Sequence, residues 1–201
     1  MQTILSQHTS DANTERAFAS LRAQFATWDE VIAAPTSKVA DAIRGGGLAD
    51  QKAPRIRRVL AEILAERGSF ELDDLADLPV GAAREWLMQF NGIGPKTASC
   101  VLLFSLGMPA LPVDTHVHRV ARRIGLIDEV VSAEQAHELL ESALGANRDT
   151  VYAFHVNMIT HGRSVCQARR PKCGQCPIAD CCVYVQRLSN NSRVASPSDQ
   201  R

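Results

Sequence analysis

Apolar residues recur at intervals of three and four along almost the whole chain, and no segment alternates strictly between apolar and polar over several residues. A repeat near 3.6 residues is the mark of helices that bury one face, so the pattern predicts an all-α protein. Phe18, Leu21 and Phe25 form one stripe, with Ser10 and Asp11 placed to cap its start. Ile56, Leu60, Ile63 and Leu64 form a longer one, which Gly68 ends. Ser132 and Gln135 have the spacing of a capping box and open a helix through Ala136, Leu139, Leu140 and Ala143. Another helix is predicted from about 149 to 161, with Gly162 as the residue that stops it. Residues 189–201 are polar, contain a proline and lack apolar spacing, so a disordered tail is expected there.

Two glycine-rich segments punctuate this background. Gly45-Gly46-Gly47 reads as a flexible loop before a helix near Leu48. Asn91-Gly92-Ile93-Gly94-Pro95 reads as a tight turn between helices over about 81–88 and 95–105, with Pro95 near the first helical position. Loops held by rigid helices are where function concentrates.

With 201 residues and 45% hydrophobic content, the chain can bury one substantial core or two small lobes. No apolar run approaches the roughly 18 residues that span a bilayer, and Met1-Gln2-Thr3-Ile4-Leu5-Ser6 lacks the layout of a signal peptide, so a soluble intracellular protein is expected. The 22 basic and 22 acidic residues cancel, so total charge gives no argument for nucleic acid. Distribution says more. Between His161 and Leu188, Arg163, Arg169, Arg170, Lys172 and Arg187 face a single acid, Asp180, which makes the segment a candidate phosphate-facing surface. Lys52, Arg55, Arg57 and Arg58 form a second basic cluster, for which a solvated helix face is an equal reading.

Four of six cysteines stand as Cys166-x6-Cys173-x2-Cys176-x5-Cys182. Such clustering in an intracellular chain favours a metal centre over disulfides. Zinc usually takes two short Cys pairs and only one is present, whereas a [4Fe–4S] cluster takes four thiolates at varied spacings. The spacing favours the cluster and leaves zinc open. Either centre would pin the loop that presents Arg169, Arg170 and Lys172 to phosphates. Cys181 and Cys100 read as small buried hydrophobes.

The turn at Gly92 and Gly94 places backbone N–H groups at a helix start, where they can hold a phosphate. Lys96 lies in the first turn of that helix, where the dipole disfavours the ammonium and frees the amine as a nucleophile; simple phosphate contact is the alternative. Pro112-Val113-Asp114-Thr115-His116 follows as an extended entry into a helix through Val117, Val120 and Ala121. Asp114 is most simply an N-cap, and His116 a packed or phosphate-facing histidine. Beside an amine nucleophile, Asp114 could also take a proton or stabilise developing positive charge.

Gly92-Ile93-Gly94-Pro95-Lys96-Thr97-Ala98, then Val113-Asp114-Thr115-His116, then His161-Gly162-Arg163 leading into the four cysteines, together resemble the endonuclease III family of helix-hairpin-helix DNA glycosylases. The likeness runs from Ile4-Leu5-Ser6 to about Tyr184. It implies two α-helical lobes, a six-helix lobe over 1–108 carrying the hairpin and a [4Fe–4S] lobe over 109–188 carrying Asp114, Cys166, Cys173, Cys176 and Cys182, with DNA across the groove between them. It further implies a monomeric cytoplasmic, nucleoid-associated repair enzyme acting on double-stranded DNA with damaged bases or abasic sites. Lys96 would expel an oxidised pyrimidine through a Schiff base, and β-elimination would cut the strand. Relatives that remove adenine carry a serine-type residue at the place of Lys96, and mismatch thymine glycosylases carry tyrosine. By the same resemblance Leu48 would wedge into the duplex, Gly92, Ile93 and Gly94 would grip the backbone, and His8, with Gln7 beside it, would stand where glutamine is usual near the flipped base. A further helix upstream, packing on the cluster lobe, is also implied, and without it lower stability is expected. The competing reading is a paralogue that binds DNA or abasic sites without turnover; a zinc-stabilised DNA module is a third.

Overall fold

A computed structural model describes residues 1–194, and it contains no strand among them. The helices are α1 (Gln2–Leu5), α2 (Asp11–Gln24), α3 (Trp28–Ala33), α4 (Thr36–Ala42), α5 (Ala49–Arg67), α6 (Val80–Met88), α7 (Pro95–Phe104), α8 (Thr115–Ile124), α9 (Ala133–Leu144), α10 (Arg148–Ser164) and α11 (Val183–Val194). The all-α expectation is borne out. None of these helices is long and apolar enough to cross a membrane. The chain divides into two compact units, one over Met1–Met108 with α1 to α7 and one beginning at Pro109 with α8 to α11.

The first unit closes around Leu5, Leu21, Val31, Val39, Ile43, Ile56, Leu75, Leu102 and Leu103, all fully buried. Each such side chain contributes about 1.5–3 kcal/mol relative to exposure, so these few positions hold the helices together. The Ser10 hydroxyl accepts from the Asn13 amide at the start of α2, and Gly68, at φ +70°, ends α5, both where the pattern placed them. The glycine run differs from expectation. Arg44–Gly46 forms a 3-10 turn, and Gly46 is buried with Ala17 Cβ 2.9 Å from where its own Cβ would sit, so the segment is packed rather than loose.

The second unit buries Leu111, Val117, Val120, Ala121, Ala136, Leu140 and Val151. The capping box forms in both directions, Ser132 accepting from Gln135 N and Gln135 accepting from Ser132 N. Leu139 and Ala143 stay exposed, so the apolar face of α9 is narrower than its sequence stripe.

Two boundaries differ from the sequence expectation. The helix that Gly162 was expected to stop runs on to Ser164. Gly162 is buried where α10 meets α8, and an added Cβ would lie 3.0 Å from His116 Cβ and 3.2 Å from Arg119 Nη2. Its smallness serves a helix crossing, not a turn. The tail expected from 189 onward is instead helical through Val194, because a helix already started at Val183 extends at little cost per residue. Residues 195–201 of that expectation lie outside the described residues.

Gly162→Val tests the crossing. The added side chain should overpack α8 against α10 and lower unfolding stability by about 1–3 kcal/mol, read by denaturant titration. A variant as stable as the parent would show that the crossing has room to spare.

Candidate functional site

The hairpin between α6 and α7 is built from within the first unit. Gly92 has φ +85°, and the Arg55 side chain lies 2.5 Å from where a Cβ would be, so only glycine fits both the turn and its neighbour. Ile93 is buried and anchors the turn from below. Gly94 is the N-cap of α7, Pro95 its first residue and Lys96 its second. The first amides of an α-helix lack intrahelical acceptors, so this end of α7 presents donors. Lys96 is half-buried, and among the described residues it has no hydrogen-bond or ion-pair partner.

Gln7 braces this turn. Its Nε2 donates to Gly92 O and Thr97 Oγ1, both at 3.2 Å, while its Oε1 accepts from Arg55 Nη1 at 2.7 Å. The amide is thereby committed to protein partners. His8 beside it is exposed, with φ +55°. Leu48, N-cap of α5, also has left-handed backbone, φ +52° and ψ +35°, and is 46% exposed, an unusual position for a leucine.

The basic cluster at the start of α5 is mostly not a solvated face. Lys52 is 2% exposed and donates to Leu5 O at 2.7 Å and Gly46 O at 2.9 Å. Arg57 donates to Ile32 O and Thr36 Oγ1. Of the four, Arg58 stands exposed.

In the second unit Asp114 is the N-cap of α8, its Oδ1 accepting from His116 N and Val117 N at 2.8 Å each. Oδ2 has no partner among the described residues. The extended run before it is held at three successive residues. Leu111 N donates to Glu141 Oε1 at 2.6 Å, Pro112 O accepts from His155 Nδ1 at 2.9 Å, and Val113 N donates to His137 Nε2 at 3.2 Å. His137 Nδ1 in turn donates to Ala133 O, which fixes its tautomer. Sequence reading missed these three residues. The His116 ring packs on Gly162 and bonds Arg119 through Nδ1.

The four clustered cysteines also belong to the second unit. Burial first, then the neighbouring Cys166, Cys182 and Cys176, push the Cys173 thiol above its ordinary range, against the opposing pull of Arg123. No three His, Cys, Asp or Glu side chains among the described residues converge closely enough to ligate one ion. Cys176 Sγ lies 3.7 Å from His161 Nε2.

Two arginines tie the cysteine loop to α8. Arg119 donates to Cys166 O and Gly162 O. Arg123 donates to Cys166 Sγ, Gln167 O and Ala168 O, and stacks on Tyr184 with its carbon 4.8 Å from the ring centre. Their four-residue spacing, off the buried stripe of Val117, Val120 and Ala121, was the available signal. Arg169, Arg170 and Lys172 project from this loop and are exposed. Cys181, expected to be buried, is exposed and donates to Ile178 O, whereas Cys100 is buried as expected.

Residues 1–145 match the family model described as HhH-GPD superfamily base excision DNA repair protein. Endonuclease III of Thermotoga maritima is 33% identical over 190 residues, which span 93% of this chain and 82% of that protein. The DNA glycosylase/AP lyase ROS1 of Arabidopsis thaliana is 33% identical over 189 residues, 87% of this chain but 14% of that protein. The chain spans 54% of the length of a second Arabidopsis thaliana relative, 38% identical over 160 residues. Among solved structures, a trapped covalent intermediate of endonuclease III with DNA superposes with a TM-score of 0.78 at 29% identity, over 94% of this chain and 83% of that one.

The cap at Asp114 separates scaffold from chemistry. Asp114→Ala should lower stability by about 0.5–2 kcal/mol while Asp114→Asn, which still accepts the two amides, stays close to the parent. Chemical denaturation of both variants measures the difference. Equal losses would place the residue's structural weight somewhere other than the cap.

Proposed function

Because the chain belongs to the endonuclease III family of HhH-GPD base-excision DNA repair proteins, we propose that it is a DNA glycosylase with abasic-site lyase activity on oxidised pyrimidines in duplex DNA. The observation that carries this reading is Lys96, a half-buried amine in the first turn of α7 with no partner among the described residues. An amine engaged elsewhere would have to break that bond before attacking. Lys96 would have no such bond to break.

The target base must leave the stack before any side chain can reach its sugar. Leu48 would fill the gap from its exposed left-handed position, and His8 would meet the bases beside it. The amides of Gly92 and Gly94 would take a backbone phosphate while Ile93, whose own amide donates to Phe90 O, holds the turn from within, with His116, Arg169, Arg170 and Lys172 adding contacts that carry no sequence information. Gln7 supports this arrangement by holding the hairpin.

Lys96 Nζ, deprotonated, would attack C1′ of the sugar, and the base would leave with the glycosidic electron pair. Opening of the sugar ring gives a protonated Schiff base, loss of a C2′ proton expels the 3′ phosphate, and water then hydrolyses the imine. The Asp114 carboxylate would assist by taking the amine's proton or by stabilising cationic charge at the sugar, using the oxygen that the cap leaves unbonded.

Cys166, Cys173, Cys176 and Cys182 would hold a [4Fe–4S] cluster. Cys173 lies near enough to Cys166, Cys176 and Cys182 to feel each of them, which suits such a group. When bound, the cluster would supply a covalent tie across the loop that carries Arg169, Arg170 and Lys172.

Borohydride reduction in the presence of an abasic or thymine-glycol duplex should trap a covalent protein–DNA adduct, and Lys96→Ala should abolish it. Trapping that persists in the variant would remove Lys96 from this role. Duplex binding with neither base release nor nicking at any protein excess would select a non-catalytic binder. Purified protein should show broad visible absorption and contain iron; zinc in its place would overturn the cluster.

A further inference from the structure

Among the described residues, the two non-glycine residues with positive φ are His8 and Leu48. Left-handed backbone is disfavoured for an L-residue, so each conformation must be held by its surroundings. They lie 40 positions apart in sequence, and one side chain serves both. Lys52 Nζ donates to Leu5 O, three residues before His8, and to Gly46 O, two residues before Leu48. Each carbonyl ends a helical turn, α1 in one case and Arg44–Gly46 in the other, where carbonyls lack an intrahelical donor. The Lys52 amide also donates to Leu48 O at 2.9 Å.

A buried ammonium with carbonyl partners is an expensive way to join two loops if stability were all it supplied. Burial, and secondarily Arg55, lower the proton affinity of Lys52 below that of an ordinary lysine. What the ammonium provides that an apolar side chain cannot is geometry: a compact head with three donors fixes two carbonyls at once.

We infer that Lys52 is a positioning residue, whose buried ammonium ties the backbone ahead of His8 to the backbone ahead of Leu48 so that both side chains meet the duplex together. The inference rests on the reading of these two residues as duplex probes given above.

The test uses a duplex with a stable abasic-site analogue opposite 2-aminopurine, whose fluorescence rises when the base loses its stacking partners. Wild type at saturation should raise that fluorescence, and Lys52→Met should not. Nicking of a true abasic site in duplex should fall roughly a hundredfold in Lys52→Met, as expected when probing groups are misplaced. The same site in a single strand, where no stack needs opening, should be cut nearly as fast as by wild type. Lys52→Arg, which keeps a cation and donors, should recover part of the duplex activity.

Equal loss on duplex and single strand would overturn the inference, as would an unchanged fluorescence rise. If circular dichroism shows Lys52→Met unfolded, Lys52→Gln carries the comparison, and failure of both to fold makes Lys52 a folding staple and overturns the inference. A wild type that raises the fluorescence but traps nothing under borohydride would defeat the lyase reading while leaving the role of Lys52 open to the same fluorescence comparison.

Discussion

A segment that leaves a helix gives up the partners a helix supplies to its N–H and C=O groups. In a packed interior each unpaired group costs about 1–3 kcal/mol, so irregular backbone persists where side chains come from elsewhere to satisfy it. This protein puts its candidate chemistry on such segments: the run into His8, the turn before Leu48, the Gly92 hairpin, the entry to Asp114 and the cysteine loop. The side chains that complete them are Lys52, Gln7, the His137, His155 and Glu141 group, and the Arg119 and Arg123 pair. Remove one, and a carbonyl or amide next to a candidate functional residue is left bare.

Within each unit the polar interior and the candidate functional residues are one construction. The histidines that hold Pro112 and Val113 lie on α10 and α9 and reach back across 43 and 24 positions, so the carboxylate of Asp114 is set by helices that never touch a reacting atom in the proposed mechanism. Gln7 does the same for the hairpin across 85 positions. Fixed geometry of this kind favours reaction because the groups need not be gathered at the moment of chemistry.

The parts of the fold that were legible in the sequence are those decided locally. Ser10, Gly68 and the Ser132–Gln135 box announce helix ends through residues within one turn of the end itself. The helix starts at Lys96 and Asp114 were legible because Gly94-Pro95 and the Asp114 cap mark them within a few residues. Where a residue answers to a distant neighbour, sequence reading failed. Gly162 looked like a stop because glycine usually is one, yet its smallness is demanded by His116 and Arg119. Lys52 looked like one of four surface cations, since nothing local reveals that Leu5 and Gly46 converge on it. Arg119 and Arg123 carried a faint periodic signal, but the carbonyls they bind lie more than forty positions on.

The left-handed backbone at His8 and Leu48 has a consequence for how this sequence can change. Glycine adopts that conformation without the penalty a side chain incurs, so a population of variants screened for heat resistance alone would drift toward glycine at both places. Each step would be rewarded by a higher melting temperature while erasing a side chain proposed to meet the duplex. If that proposal holds, durability and repair pull the sequence in opposite directions at these two positions, and a hot-adapted version of this fold would have to find its extra stability elsewhere.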